Sequence, residues 1–317
     1  MGSKERFRLP DDYDVLIIGA GLAGLTAGMY ASRQGLKTAI MERMIPGNQI
    51  INVDLVVDYP GFVNGISGAE LGSLVYEQAQ ACGAEFLMEE VVSLSRAGTG
   101  FVLKSLDETY RARTVIIAAG SSFKKLGING EEQFYNMGLS HCASCDGPLF
   151  EGQTVGVVGG GDSAVTEALI LSQFASKVIV LHSNSTLHAM KIIQDVVIAE
   201  PKISVLHNIS VEEIIGDERV TGVSVRSTES QLVDQIDLAG LFVYVGLEPN
   251  SGIVANIVDL DPAGHIPVNI NMETMVCGLF AAGDIRQNAS AQLISAAGDG
   301  ATAAISAYRY LSSMGEL

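Results

Sequence analysis

Cys142 and Cys145 stand two residues apart in the stretch LSHCASCDGP, residues 139–148. Two thiols at that spacing can hold a metal, brace a turn or exchange electrons. A structural zinc site takes four ligands. Here His141 alone joins the two cysteines, no second C-x-x-C is present, and the five histidines are scattered. A bridge closing so small a ring constrains little of the unfolded chain. A redox pair is the favoured reading, because a mixed disulfide formed by one thiol is resolved by its neighbour. Gly147-Pro148 limits any helix here, so a helix dipole gives the thiolate little help. Asp146 either handles a proton or turns the chain ahead of Gly147-Pro148.

A dithiol needs a source of electrons, and two related segments offer places for a carrier. The first, Tyr13 to Glu42, runs from an apolar strand into Gly19-Ala20-Gly21-Leu22-Ala23-Gly24, then a helical pattern ended by Gly35 and a second strand, Thr38 to Met41. This is the βαβ setting of a G-x-G-x-x-G fingerprint. The first glycine makes the turn, the second admits a pyrophosphate to the backbone, and the third lets helix pack on strand. Glu42 stands where a carboxylate would accept from a ribose hydroxyl. The second segment, Thr154 to Leu181, repeats the pattern around Gly159-Gly160-Gly161-Asp162-Ser163-Ala164, starting 140 residues after the first. Each is followed by an apolar strand ending in glycine, residues 114–120 and 240–246, which reads as a crossing between domains. A third signal, Gly278 to Asp284, delivers an acid at a strand end, ahead of a small-residue helix over about 291–311. Asp284 either holds a polyol or caps a turn or helix.

The 317 residues are 48% hydrophobic and 17% charged, enough for two well-packed domains. The net charge of −17 disfavours nucleic-acid binding, which needs clustered Lys and Arg. No apolar run reaches membrane-spanning length. The charged N-terminal stretch carries no leader-like apolar segment, so a cytoplasmic setting is expected. Cys82 and Cys277, isolated in apolar surroundings, are expected to be buried free thiols.

Taken in order, these motifs resemble the low-molecular-weight thioredoxin reductases. GAGLAG with Glu42 is similar to that family's FAD fingerprint, HCASCDG to its redox motif, GGGDSA to its nicotinamide-nucleotide fingerprint and GLFAAGDIR to its second FAD motif. Gly47-Asn48-Gln49 and Asp58 to Phe62 resemble its flavin-side loops, and Ala291-Gln292 its flavin contact. The resemblance implies an α/β fold of two Rossmann-like, three-layer ββα domains, the second inserted in the first. An FAD domain would comprise residues 1–118 and 245–317, and residues 119–244 would carry the dithiol. It also implies that Cys145 faces the flavin, Cys142 attacks a thioredoxin-like protein disulfide, Asp146 manages the proton, and the chain forms a homodimer.

One departure matters. Where the family carries arginines that pair the NADPH 2′-phosphate, this chain has Ser183, Asn184 and His188. Arginine's fork suits that phosphate, and a missing charge-assisted hydrogen bond costs about 1.5–3 kcal/mol. NADPH is disfavoured, yet GGGDSA is intact, either as a packing relic or because another dinucleotide binds. Electrons would come from a protein such as reduced ferredoxin, or through a second FAD or related adenine dinucleotide, ahead of NADPH held by His182, His188 and Lys191. Lys124-Lys125 is the one adjacent basic pair that could meet an acidic ferredoxin. A redox-inactive dinucleotide-binding module is the contrasting class, and the intact CASC motif argues against it.

Overall fold

Strands covered on both faces read as unbroken apolar runs, and YDVLII, TAIM and GLFV are buried at every residue. The computed structural model describes residues 13–53 and 55–315. The charged stretch read as lacking a leader falls almost wholly outside them. The chain divides into two compact units, one ending at Ser122 and resuming at Glu248, the other Phe123–Leu247.

The first unit begins with β1 (Tyr13–Ile18), α1 (Leu22–Arg33), β2 (Thr38–Met41), α2 (Gly68–Ala81) and β3 (Glu85–Leu87). An antiparallel meander follows, β4 (Ser93–Ala97), β5 (Gly100–Lys104) and β6 (Thr109–Ile117), and β6 returns beside β1 in parallel. The chain leaves this unit at β7 (Ser121–Phe123). In the second unit come β8 (Leu139–Ser140), the one-turn α3 (Ala143–Asp146), β9 (Thr154–Val158), α4 (Asp162–Ser172), β10 (Lys177–Leu181), α5 (Lys191–Ala199) and β11 (Ile203–Leu206). A three-stranded antiparallel sheet, β12 (Ile209–Gly216), β13 (Val220–Ser227) and β14 (Val233–Asp237), precedes β15 (Gly240–Val243), and the parallel sheet runs β11-β10-β9-β15-β8. After β16 (Leu247–Pro249) the chain adds β17 (Leu279–Ala281) beside β6 and ends on α6 (Leu293–Ser313).

Each unit is thus three layers on its own parallel sheet. In the first, Val15, Ile17, Ile40 and Ile116 face helices through Ala27, Leu71, Val75 and Ala304, while Leu16, Ile18, Met41 and Ile117 face the meander side through Leu94, Phe101 and Leu103. Side chains of this size stabilise by about 1.5–3 kcal/mol each when fully buried. Small residues let α6 press on α1: a Cβ on Gly300 would lie 2.1 Å from Ala23 O. In the second unit Val155, Val157, Val180 and Phe242 meet α4 through Ala164, Ala168 and Leu171. The opposite face, with Ile179, Leu181 and Leu241, meets the antiparallel sheet through Ile214, Val223 and Val225.

Two expectations are corrected. Cys277 is exposed and Cys82 half-buried, both free. Cys277 sits on the turn that Gly278, at φ +82°, makes into β17, and Cys82 closes the surface end of α2. The final helix starts two residues later than the pattern implied, because Ala291 is left-handed at φ +50° and Gln292 is extended.

Candidate functional site

Buried β8 ends at Ser140 and delivers Cys142 in extended backbone as the cap of α3. Cys142 and Cys145 are joined as a disulfide. Gly147 and Pro148 turn the chain into a 3-10 segment, so the helix stops after one turn. Cys145 is exposed and Cys142 partly so. The Cys145 N–H donates to Cys142 Sγ at 3.2 Å, and Ser144 Oγ lies 3.6 Å from the same sulfur. That sulfur therefore has hydrogen-bonding neighbours if it becomes a thiolate. Ser140 Oγ donates to Asp146 Oδ2 at 2.6 Å and accepts from Cys142 N at 3.0 Å. Asp146 is thereby tied to the thiol pair through a hydroxyl.

Glu167 on α4 was not evident from the motifs. Its Oε2 accepts from Ala143 N at 2.9 Å and from Tyr244 OH at 3.0 Å, pinning the residue between the cysteines to the helix behind. Burial, then the Glu167 charge, drives the Tyr244 hydroxyl far above its ordinary range, so it stays a donor. His141, the third member of the supposed metal cluster, places Nδ1 2.8 Å from Val243 O and stacks on Phe123 at 5.0 Å. A carbonyl only accepts, so Nδ1 carries the proton. The signal for Glu167 was an acid set between Ala164 and Ala168, on the buried face of an otherwise apolar helix.

In the first unit two adjoining cavities of about 160 and 180 Å³ share Arg43, Asn48, Ala119 and Asn250 in their lining. Together they run from Glu42, past Gly19 and Gly21, to Asp284, Leu293 and Ala296. Glu42 is buried and accepts from Ala20 N at 2.8 Å and Met44 N at 3.0 Å. Gly21 has φ −71° and a Cβ there would meet nothing within 4 Å. Neither backbone conformation nor protein packing requires glycine at that point; the close approach of a ligand does. The donor set thus fits a dinucleotide. Gln49 lines the cavity and donates through Nε2 to Ser121 O.

Asp284 sits in the turn after β17, nine residues ahead of α6, so it caps no helix. Its turn is framed by buried Asp299, which accepts from Gly283 N at 3.2 Å and pairs Arg286 at 2.6 and 3.0 Å. Burial first, then the Asp299 charge, raises the Asp284 carboxyl, with Arg286 opposing. Ala291 and Gln292 are exposed and absent from the cavity linings, where Leu293 and Ala296 represent α6 instead. Asp58 to Phe62 stays outside the linings too, with Tyr59 and Phe62 packed together at 6.3 Å.

In the second unit a cavity of about 390 Å³ is lined by Gly159 to Ala164, His182, Ser183, His188 and Tyr244. Gly161 repeats the behaviour of Gly21: φ is −89° and a Cβ would meet nothing within 4 Å. Asp162 accepts from Met190 N at 2.6 Å and Ser163 is exposed, both at the start of α4. His182 is buried against Gly160, and His188 and His207 stand near it at 5.3 and 6.2 Å between ring centres.

The sequence profile of the family described as "Pyridine nucleotide-disulphide oxidoreductase" matches residues 13–301. The thioredoxin reductase of Bacillus subtilis (strain 168) is 41% identical over 305 residues, covering 96% of each chain. The solved thioredoxin reductase of Lactococcus lactis superimposes with TM-score 0.92 at 38% identity, over 95% of this chain and 99% of that one. A ferredoxin-flavin thioredoxin reductase of Clostridium acetobutylicum is similar at TM-score 0.54 and 29% identity, over 96% of this chain and 99% of that one.

Proposed function

Because the chain belongs to the pyridine nucleotide-disulphide oxidoreductase family and is a flavin-dependent disulfide oxidoreductase of the thioredoxin reductase type, we propose that Cys142 and Cys145 pass electrons to the disulfide of a thioredoxin-like protein, taken ultimately from a donor other than NADPH. Residues 1–118 and 245–317 hold FAD in this reading, and residues 119–244 carry the dithiol and a second nucleotide cleft. FAD supplies the two-electron carrier. Gly19, Gly21, Gly24 and the start of α1 would cradle its pyrophosphate, Glu42 a ribose hydroxyl and Asp284 the polyol, with Gln49, Ala291 and Gln292 toward the ring.

Two electrons and two protons open the Cys142–Cys145 bond. The Cys142 thiolate, with the Cys145 N–H beside it, attacks one sulfur of the substrate disulfide. The substrate S–S bond breaks as a Cys142–substrate bond forms, and the departing thiolate takes a proton by way of Asp146. Cys145 then attacks Cys142 Sγ, which releases the second substrate thiol and restores the bridge.

The donor argument rests on one observation: Gly161 keeps its ligand-shaped gap while the lining beside it offers His182, Ser183 and His188 and no arginine or lysine. The gap favours an occupied cleft over a packing relic, and the lining disfavours a 2′-phosphate. The second reading, reduced ferredoxin, draws on the likeness to the Clostridium acetobutylicum protein. The supporting basic pair is weak, since Lys125 is already paired with Glu132 at 3.2 Å. Anaerobic stopped-flow mixing with micromolar NADPH is expected to leave the flavin absorbance unchanged over many seconds. Bleaching within milliseconds would end the donor argument. Counting flavins per chain then separates protein-delivered electrons, with one flavin, from a two-flavin relay.

A further inference from the structure

Two positions in this chain do the same structural work. The carbonyls of Met41 and Leu181, closing β2 and β10, accept from Gly19 N at 2.8 Å and Gly159 N at 3.1 Å. The next residues are Glu42 and His182, whose own N–H groups donate to Leu87 O at 3.0 Å and Leu206 O at 2.9 Å. Both side chains are 5% exposed. Both line their cavities. Both rest on the second residue of the glycine loop. Glu42 does so by accepting from Ala20 N. The Nδ1–Cε1 edge of His182 does so by lying where a Cβ on Gly160 would be 2.3 Å from each atom. His182 is the internal counterpart of the ribose-reading acid.

Its chemistry follows from its other edge. His182 Nε2 lies 2.9 Å from Thr186 O, and a carbonyl only accepts, so Nε2 carries the proton and Nδ1 of the neutral ring keeps a lone pair. Burial, with nearby His188 and His207 adding to it, holds this histidine below its usual range and favours the neutral ring. A lone pair accepts from a hydroxyl and repels a phosphate oxygen. Lys191, the nearest cation on α5 in sequence, is engaged by Asp195 at 2.5 Å.

We propose that the second cleft takes an adenine dinucleotide whose adenosine ribose bears a free 2′-hydroxyl, and that His182 is the residue selecting it. This rests on the reading that the second fingerprint is occupied. The glycine at position 160 then has a reason of its own: any larger residue would displace the selecting ring.

The test is calorimetric titration of the holoprotein with two redox-silent compounds, ADP-ribose and 2′-phospho-ADP-ribose. ADP-ribose is expected to bind at least about tenfold tighter. His182→Ala should remove that preference and His182→Asn, which keeps an acceptor, should restore part of it. Gly161→Val should abolish binding while the protein stays folded and yellow, since the new side chain enters open space. Equal or tighter binding of the phosphorylated compound overturns the inference, and so does a His182→Ala protein with unchanged preference. Failure of wild-type protein to bind either compound instead sinks the occupied-cleft reading beneath it, whereas fast flavin reduction by NADPH sinks the donor argument independently.

Discussion

The two glycine loops share a pattern but solve different packing problems. At the first position both need glycine: Gly19 has φ +103° and Gly159 φ +141°, and a Cβ would strike Ala118 O at 2.4 Å in one and Tyr244 O at 2.3 Å in the other. At the third glycine of G-x-G-x-x-G they part. A Cβ on Gly24 would sit 1.8 Å from Gly19 O, whereas Ala164 occupies the matching place in a turn opened by the larger φ of Gly159. Between these, Gly21 and Gly161 face open space in ordinary backbone. The comparison separates glycines required by the protein from glycines required by what the protein binds.

The largest effect should come from the binding class in the first loop. Gly21→Val is expected to fold with its native circular dichroism yet purify colourless; a yellow protein with one flavin per chain would break the comparison. Next comes the packing class. Gly24→Ala should destabilise by at least about 3 kcal/mol, as overpacking against backbone does, while Ala164→Gly should cost only about 1 kcal/mol, the ordinary helix penalty. Denaturant melts of both variants check this, and similar losses would show the turns to be interchangeable. The smallest effect concerns protons. Burial lowers the His182 pKa in the folded state, so the unfolded chain binds the proton first as pH falls through about 6.5. The stability contributed by the neutral buried ring is present above that pH and declines below it. Thermal melts between about pH 7.5 and 5.5 should fall more steeply for wild type than for His182→Asn. Equal slopes would mean that another group carries the acid sensitivity.

Much of this was legible from the chain. Both βαβ units stood out because each strand is buried on two faces and reads as an apolar run, and because the glycine loop is local in sequence. The C-x-x-C pair was visible for the same reason. Glu167 was not, because its partners are Ala143, 24 residues earlier, and Tyr244, 77 residues later. Asp299 and Arg286 likewise frame Asp284 through helix packing that no motif records. Cys82 and Cys277 misled, since apolar neighbours in sequence do not tell which side of a turn faces water. The start of α6 shifted because a left-handed alanine cannot be read from its letter.

The sequence by itself determined which groups share a loop: two thiols, two phosphate-shaped turns, an acid at a strand end, and the lack of arginine beside the second turn. Backbone spacing settles those facts before any folding occurs. Only the tertiary structure decided that Glu167 holds the redox turn and that Gly21 and Gly161 face open space. It likewise decided that His182 takes the place in its cleft that Glu42 takes in the other. Such relations depend on residues distant along the chain coming within a few ångströms, and sheet order and helix packing alone set those distances.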